Sequence, residues 1–167
     1  MAGSPPNPPV AKLVQAADFE RVLATPSKAR SPHFAVHHLA ARPVLTAWRR
    51  KHPVVPELST ADAPEAAVSV DNSSLPPSEP PEGQWLGVVV PKRHAKRAVT
   101  RTLVKRQMRA VFAGEAAHLG AGLWVLRLRS GFAAQAFPSA SSDALRAAVR
   151  AELHTMLQRA AARGARG

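Results

Sequence analysis

Apolar positions along this chain recur in two rhythms, and the switches between them mark its elements. From Leu13 to Leu23 the sequence LVQAADFERVL repeats at helical intervals and brings Phe19, Val22 and Leu23 to one side, which predicts a short amphipathic helix. Pro26 and the Ser-Lys-Ala-Arg-Ser-Pro that follows break it, after which Phe34, Val36 and His38 alternate as in a half-buried strand. Trp85-Leu86-Gly87-Val88-Val89-Val90, closed by Pro91, is a continuous apolar run of the kind found in strands covered on both faces. Leu123 to Leu128 predicts another strand, bounded by Gly120-Ala121-Gly122 and Ser130-Gly131. The last segment offers Ser139, Ser141 and Ser142 as N-caps and Asp143 in the first turn. It then places Leu145, Val149, Leu153, Met156 and Leu157 at helical spacing, with Arg159, Arg163 and Arg166 near the end, where cations complement the helix dipole.

Between these elements the composition changes. Residues 1–12 are Pro-rich and read as a disordered tail. Residues 43–83 carry prolines throughout and six of the eleven acids, Glu57, Asp62, Glu65, Asp71, Glu79 and Glu82. That stretch reads as a mobile insertion, dispensable for the core, with Val44, Leu45 and Trp48 extending a strand at its start. A single α/β domain over 13–160 and a basic tail over 161–167 complete the organisation. No run approaches the roughly 20 apolar residues of a membrane helix, so a soluble chain without membrane partners is expected. The first ten residues lack the charged and apolar regions of a secretory signal, and the absence of cysteine fits a reducing cytoplasm.

Charge narrows the function. Twenty-three Lys and Arg against eleven acids give a net charge of +12, which calls for a polyanionic partner. Eight of those cations fall in Lys92–Arg109, directly after a strand and without one acid. At about 100° per residue, Arg101, Lys105, Arg106 and Arg109 share one arc, and Val99, Leu103, Val104, Ala110 and Val111 the opposite one. A solvated charged face would interleave acids at i,i+4, and none occurs here. The preceding strand argues against a DNA-reading helix-turn-helix. Seven scattered histidines show no metal-ligand spacing, so no metal site is expected. With no acid from Trp85 to Gly114, no protein-borne nuclease centre is expected there either.

The stretch LGVVVPKRHAKRAVTRTLVKRQMRAVF resembles the signature of the bacterial ribonuclease P protein family, in which a strand and basic loop lead into an Arg-rich helix. Asp18-Phe19-x-x-Val22, Ser31-Pro32-x-Phe34-x-Val36 and LWVLRLRSGF are similar to other parts of that family. The resemblance covers roughly 13–39 and 84–160. It implies an α+β fold: a compact α/β sandwich of a central sheet and three helices, with a left-handed β-α-β crossover that is an exception to the usual hand. It further implies a subunit that assists a catalytic RNA in removing the 5′ leader of precursor tRNA, with no catalytic residue of its own and magnesium held by the RNA. Lys92, Arg93, His94, Lys96, Arg97, Arg101, Thr102, Lys105, Arg106 and Arg109 would contact that RNA. A cleft between the first helix and the sheet, with Phe19, Leu23, Lys28, Phe34 and Val36, would take the single-stranded leader. Thr102 and Leu103 depart from the family's usual Asn and Arg. A ribosomal or other structural RNA-binding protein shares the basicity and size, and the two part on cleavage activity.

Overall fold

The strand Gly122–Leu128 is apolar at both alternating sets of positions because helices cover both faces of the sheet it centres. The computed structural model describes residues 8–44, 81–139 and 142–164. In it β1 (Val10–Lys12), β2 (Ser27–Arg30), β3 (Phe34–Leu39), β4 (Gln84–Val89) and β5 (Gly122–Leu128) form one mixed sheet in the order β1-β4-β5-β3-β2. The helices are α1 (Ala16–Leu23), α2 (Ala98–Glu115), prolonged by a short 3-10 turn at Ala116–His118, and α3 (Asp143–Gly164). The fold is α+β as expected, and β4-α2-β5 is its parallel β-α-β unit.

The two-residue period of a strand sorts the core into two layers. Phe34 and Val36 of β3, Leu86 of β4, and Trp124, Leu126 and Leu128 of β5 pack beneath α2 and α3. Leu123 and Val125 of β5 join Leu13, Val22 and Ala41 on the side of α1. Ser142 caps α3, its hydroxyl accepting a bond from the Leu145 amide at 3.1 Å. Leu145, Val149, Leu153, Met156 and Leu157 are buried as their spacing predicts.

Several boundaries differ from expectation. Val10–Lys12 belong to the sheet, not to a tail, because β1 lies parallel to β4 and the Leu13 amide then reaches the Leu86 carbonyl at 3.0 Å. A pairing partner some 70 residues away leaves no local signature. The helix begins at Ala16, with Leu13 buried just before it. Ser27–Arg30, read as a break, is an edge strand: its two flanking prolines lie outside the four residues, and an edge tolerates polar side chains. Val44 extends no strand, and its amide instead donates to the buried Asp18 carboxylate at 3.0 and 3.1 Å. Leu45, Trp48 and nearly all of the acidic stretch lie outside the described residues, as do 1–7, Ser141 and Arg166. The start of the basic tail, up to Gly164, is the last turn of α3.

The turn between β2 and β3 is fastened to α3 through Glu152. Its carboxylate accepts from the Ser31 hydroxyl at 2.5 Å and the His33 amide at 2.7 Å, and meets His33 Nδ1 at 2.7 Å. Burial pushes the Glu152 carboxyl up, but the Ser31 and His33 contacts outweigh it and hold the group below the usual carboxylate range. A carboxylate depressed in the folded state adds stability above its unfolded pKa and loses it as pH falls through the folded value. The urea midpoint should therefore drop on acidification below about pH 4.5. Glu152→Gln should flatten that part of the profile, and an unchanged profile would show that the fastening contributes nothing.

Candidate RNA interface

Leu103, Val104, Met108, Val111 and Phe112 of α2 are buried, and they set which side of the helix is left for solvent. Thr102, Arg106 and Arg109 lie on the exposed side, and Lys105 is half-buried at its margin. Val99 and Ala110 do not belong to the apolar arc as predicted. They sit roughly 125–145° from the centre of the buried set at 100° per residue, and Val99 is 55% exposed. Leu103, where the family usually has arginine, is a core residue. Thr102, in place of the family asparagine, stands in the middle of the exposed face.

Arg101 differs from its neighbours. Its Nη1 donates to the carbonyls of Ala95 at 3.0 Å and Lys96 at 2.7 Å, so the guanidinium clamps the loop that carries Lys92, Arg93, His94, Lys96 and Arg97. That loop turns tightly, with the amides of His94 and Ala95 both on the Pro91 carbonyl and Ala95 buried beneath it. Lys92, Arg93, Lys96 and Arg97 are exposed, and Arg93 Nε donates to His94 Nε2 at 3.0 Å. Among the described residues, no ion pair involves any of the eight cations between Lys92 and Arg109. The whole stretch thus presents uncompensated positive charge on a fixed frame.

On the opposite face, Phe19 of α1 packs against Gly87, where a Cβ would stand 2.4 Å from the ring. Phe19 and Leu23 are half-buried there, together with Leu39, Trp85 and Val89, which the sequence did not single out. Val89 and Ala35 are the register partners of Arg127 on either side, so that row sets a cation among apolar residues on the α1 face. Phe34, Val36 and Lys28 do not join this surface. Phe34 and Val36 are fully buried under α2 and α3, because both occupy the strand positions that point away from α1. Lys28 Nζ lies 5.8 Å from the centre of the Trp124 ring, on that same far side.

Three of the histidines, His37, His38 and His154, serve structure. His37 Nδ1 meets the Thr25 carbonyl, His38 Nε2 that of Ala121, and His154 Nε2 pairs with Glu115 at 2.8 Å. Burial lowers the His38 pKa, with nearby Lys28 adding to the effect and the Ala121 carbonyl opposing it. Among the described residues no group of three His, Cys, Asp or Glu could hold a metal ion, and no helix is long and apolar enough to cross a membrane.

The family model for Ribonuclease P matches residues 8–159, nearly the whole chain. The chain belongs to the Ribonuclease P family. It is similar to the ribonuclease P protein component of Paraburkholderia xenovorans, 45% identical over 76 residues, which are 46% of this chain and 55% of that protein. To the ribonuclease P protein component of Burkholderia mallei it is 43% identical over 81 residues, 48% of this chain and 60% of that one. The chain thus spans between half and two thirds of the length of the curated relatives it matches. The RNase P protein from Staphylococcus aureus shares the fold at a TM-score of 0.51 and 17% identity, over 90% of this chain and 89% of that one.

The frame of the basic loop yields a prediction for this ribonuclease P family member. A Cβ on Gly131 would stand 2.7 Å from the backbone carbonyl oxygen of His94, which cannot swing aside as a side-chain end could. Gly131→Ala should displace the loop and weaken binding to a bacterial ribonuclease P RNA while the circular dichroism spectrum stays native. Unaltered affinity would mean that the loop's position is immaterial to binding.

Proposed function

We propose that this chain is the protein subunit of a ribonuclease P ribonucleoprotein, binding the catalytic RNA and the 5′ leader of precursor tRNA so that the leader is cut away. The observation that carries the reading is the pinned, acid-free basic surface of α2 and its preceding loop. Lys92, Arg93, His94, Lys96, Arg97, Thr102, Lys105, Arg106 and Arg109 contact RNA phosphates, and Arg101 contributes by holding the loop in place. A helix anchored by its apolar face holds its cations at fixed spacing, which suits a folded RNA better than loose neutralisation would.

The leader lies across the α1 face. Phe19 offers a ring for a base to stack on, Leu23, Leu39, Trp85 and Val89 extend the apolar floor, and Arg127 supplies a cation for a phosphate. Hydrolysis of the phosphodiester falls to the RNA, which holds magnesium and activates the attacking water. The protein's share is to bind, align and neutralise charge, and the cytoplasm is where such a complex would meet its substrate.

Adding the full chain to a bacterial ribonuclease P RNA at low magnesium should restore accurate 5′ cleavage of a precursor tRNA that neither component supports alone. RNA binding without any effect on cleavage would favour a structural RNA-binding role instead. Lys105, Arg106 and Arg109 changed together to Gln should leave the fold native and flatten log K against log[salt] by about 2 to 3 units, at roughly 0.7 to 0.9 per lost contact. Arg101 is left out because its loss would also disturb the loop. Phe19→Ala should weaken precursor tRNA binding by about 1 to 3 kcal/mol and leave mature tRNA nearly unaffected. Equal weakening of both would return Phe19 to the core.

A further inference from the structure

The flank of α3 that turns away from α2 borders a groove of about 280 Å³ against the edge strand β2, bounded by Ala29, Arg30, Arg159, Ala162 and Arg163. No acid lines it. Arg159 and Arg163 stand one helical turn apart, so both side chains leave α3 on the same side. The Arg163 guanidinium is oriented by one bond, Nη1 to the Lys28 carbonyl at 2.9 Å, and keeps its remaining N–H groups for a ligand. Arg30, at the strand edge, is held through Nε on the Ser27 hydroxyl. Lys28 adds a fourth cation beside the groove, its Nζ lying 3.3 Å from where a Cβ on Gly164 would stand.

Among the described residues, none of Arg30, Arg159 and Arg163 enters an ion pair. The groove continues into a second hollow of about 380 Å³ that shares Arg159 and reaches Glu152. That carboxylate is already taken up by Ser31 and His33, so it does not neutralise the arginines. The alanine floor offers no competing polar group and lets a ligand approach the guanidinium forks closely. Forked guanidinium groups over a small-residue floor match the geometry of a phosphate, which they can bind in bidentate fashion.

We propose that this groove binds backbone phosphates of an RNA strand, forming a second RNA-contact surface on the far side of α3 from the basic helix. The proposal rests on the reading of the chain as a ribonucleoprotein subunit, and that reading favours RNA over an acidic peptide as the occupant. The strand belongs either to the RNA subunit or to the precursor tRNA, and the two sources are separable by experiment.

Full-length Arg159→Gln/Arg163→Gln should be titrated over a range of salt in two arms. One arm is direct binding to a bacterial ribonuclease P RNA, and the other is binding of precursor tRNA to the assembled complex. Loss of two phosphate contacts should flatten log K against log[salt] by about 1.4 to 1.8 units in one arm, and that arm names the source. Arg159→Lys/Arg163→Lys, which keeps the charge, should keep the slope. Arg159→Gln alone removes an exposed side chain outside any ion pair and should still flatten the slope by about 0.7 to 0.9, so the test survives if the double variant folds poorly. The Lys105, Arg106 and Arg109 variant runs alongside. If it alone loses affinity, the groove proposal is overturned and the α2 interface stands. If the groove variants alone lose affinity, the groove stands and the α2 assignment fails. Wild-type slope and affinity for the groove variants in both arms, with a native circular dichroism spectrum, would also overturn the proposal, as would loss of an acidic protein partner in place of RNA.

Discussion

Burial of one side of α2 is the constraint on which the rest depends. Eight cations within eighteen residues repel one another, yet two unit charges about 6 Å apart in water cost only about 0.7 kcal/mol before salt screens them. Against that stand Leu103, Val104, Met108, Val111 and Phe112, whose burial contributes roughly 1.5 to 3 kcal/mol each. The apolar seam wins by a wide margin, so the helix persists without a compensating acid on its exposed side. The charge is thereby free to act on something outside the chain.

The seam holds because α2 shares it with α3 and with the far face of the sheet, where Trp124 touches the ring of Phe112 edge-on. The basic loop inherits its position from the same frame. Arg101 grips it from the helix, and Gly131, just past the end of β5, lets it settle against the following chain. A residue that looks like one more RNA contact therefore does a different job: its charge is spent on two backbone carbonyls, and the exposed cations around it gain a fixed arrangement.

Much of this was legible in the sequence wherever the signal was local. The strands β3, β4 and β5, the two long helices and the basic stretch each follow from periodicity and turn residues over a dozen positions or so. What escaped depended on partners distant in the chain. The strand β1 exists only because β4 lies beside it, and β2 is polar because it is an edge. The residues expected to share one cleft divide between two faces for a subtler reason. Phe19 and Phe34 are both aromatic and both near the first helix in sequence, but Phe34 and Val36 take the phase of β3 that points to α2 and α3. Alternation shows that a strand has two faces without showing which helix covers which. The register of Arg127 between Val89 and Ala35 was likewise invisible until three strands were laid side by side.

The order of strands in the sheet also bears on how the chain comes together. β5 is the last strand in sequence and the middle one in space, pairing with β4 on one side and β3 on the other. During synthesis from the N-terminus, the β2–β3 hairpin and the β1–β4 pair have no shared neighbour until residue 128 has emerged, and the face of β3 beneath α3 waits uncovered until that helix follows. The long stretch between β3 and β4 adds little to this delay, since closure entropy grows only with the logarithm of loop length, about 0.6 kcal/mol per doubling. Completion of the sheet is thus a late, concerted event, and a chain that stalls before β5 leaves two unjoined halves for proteases and aggregation to find.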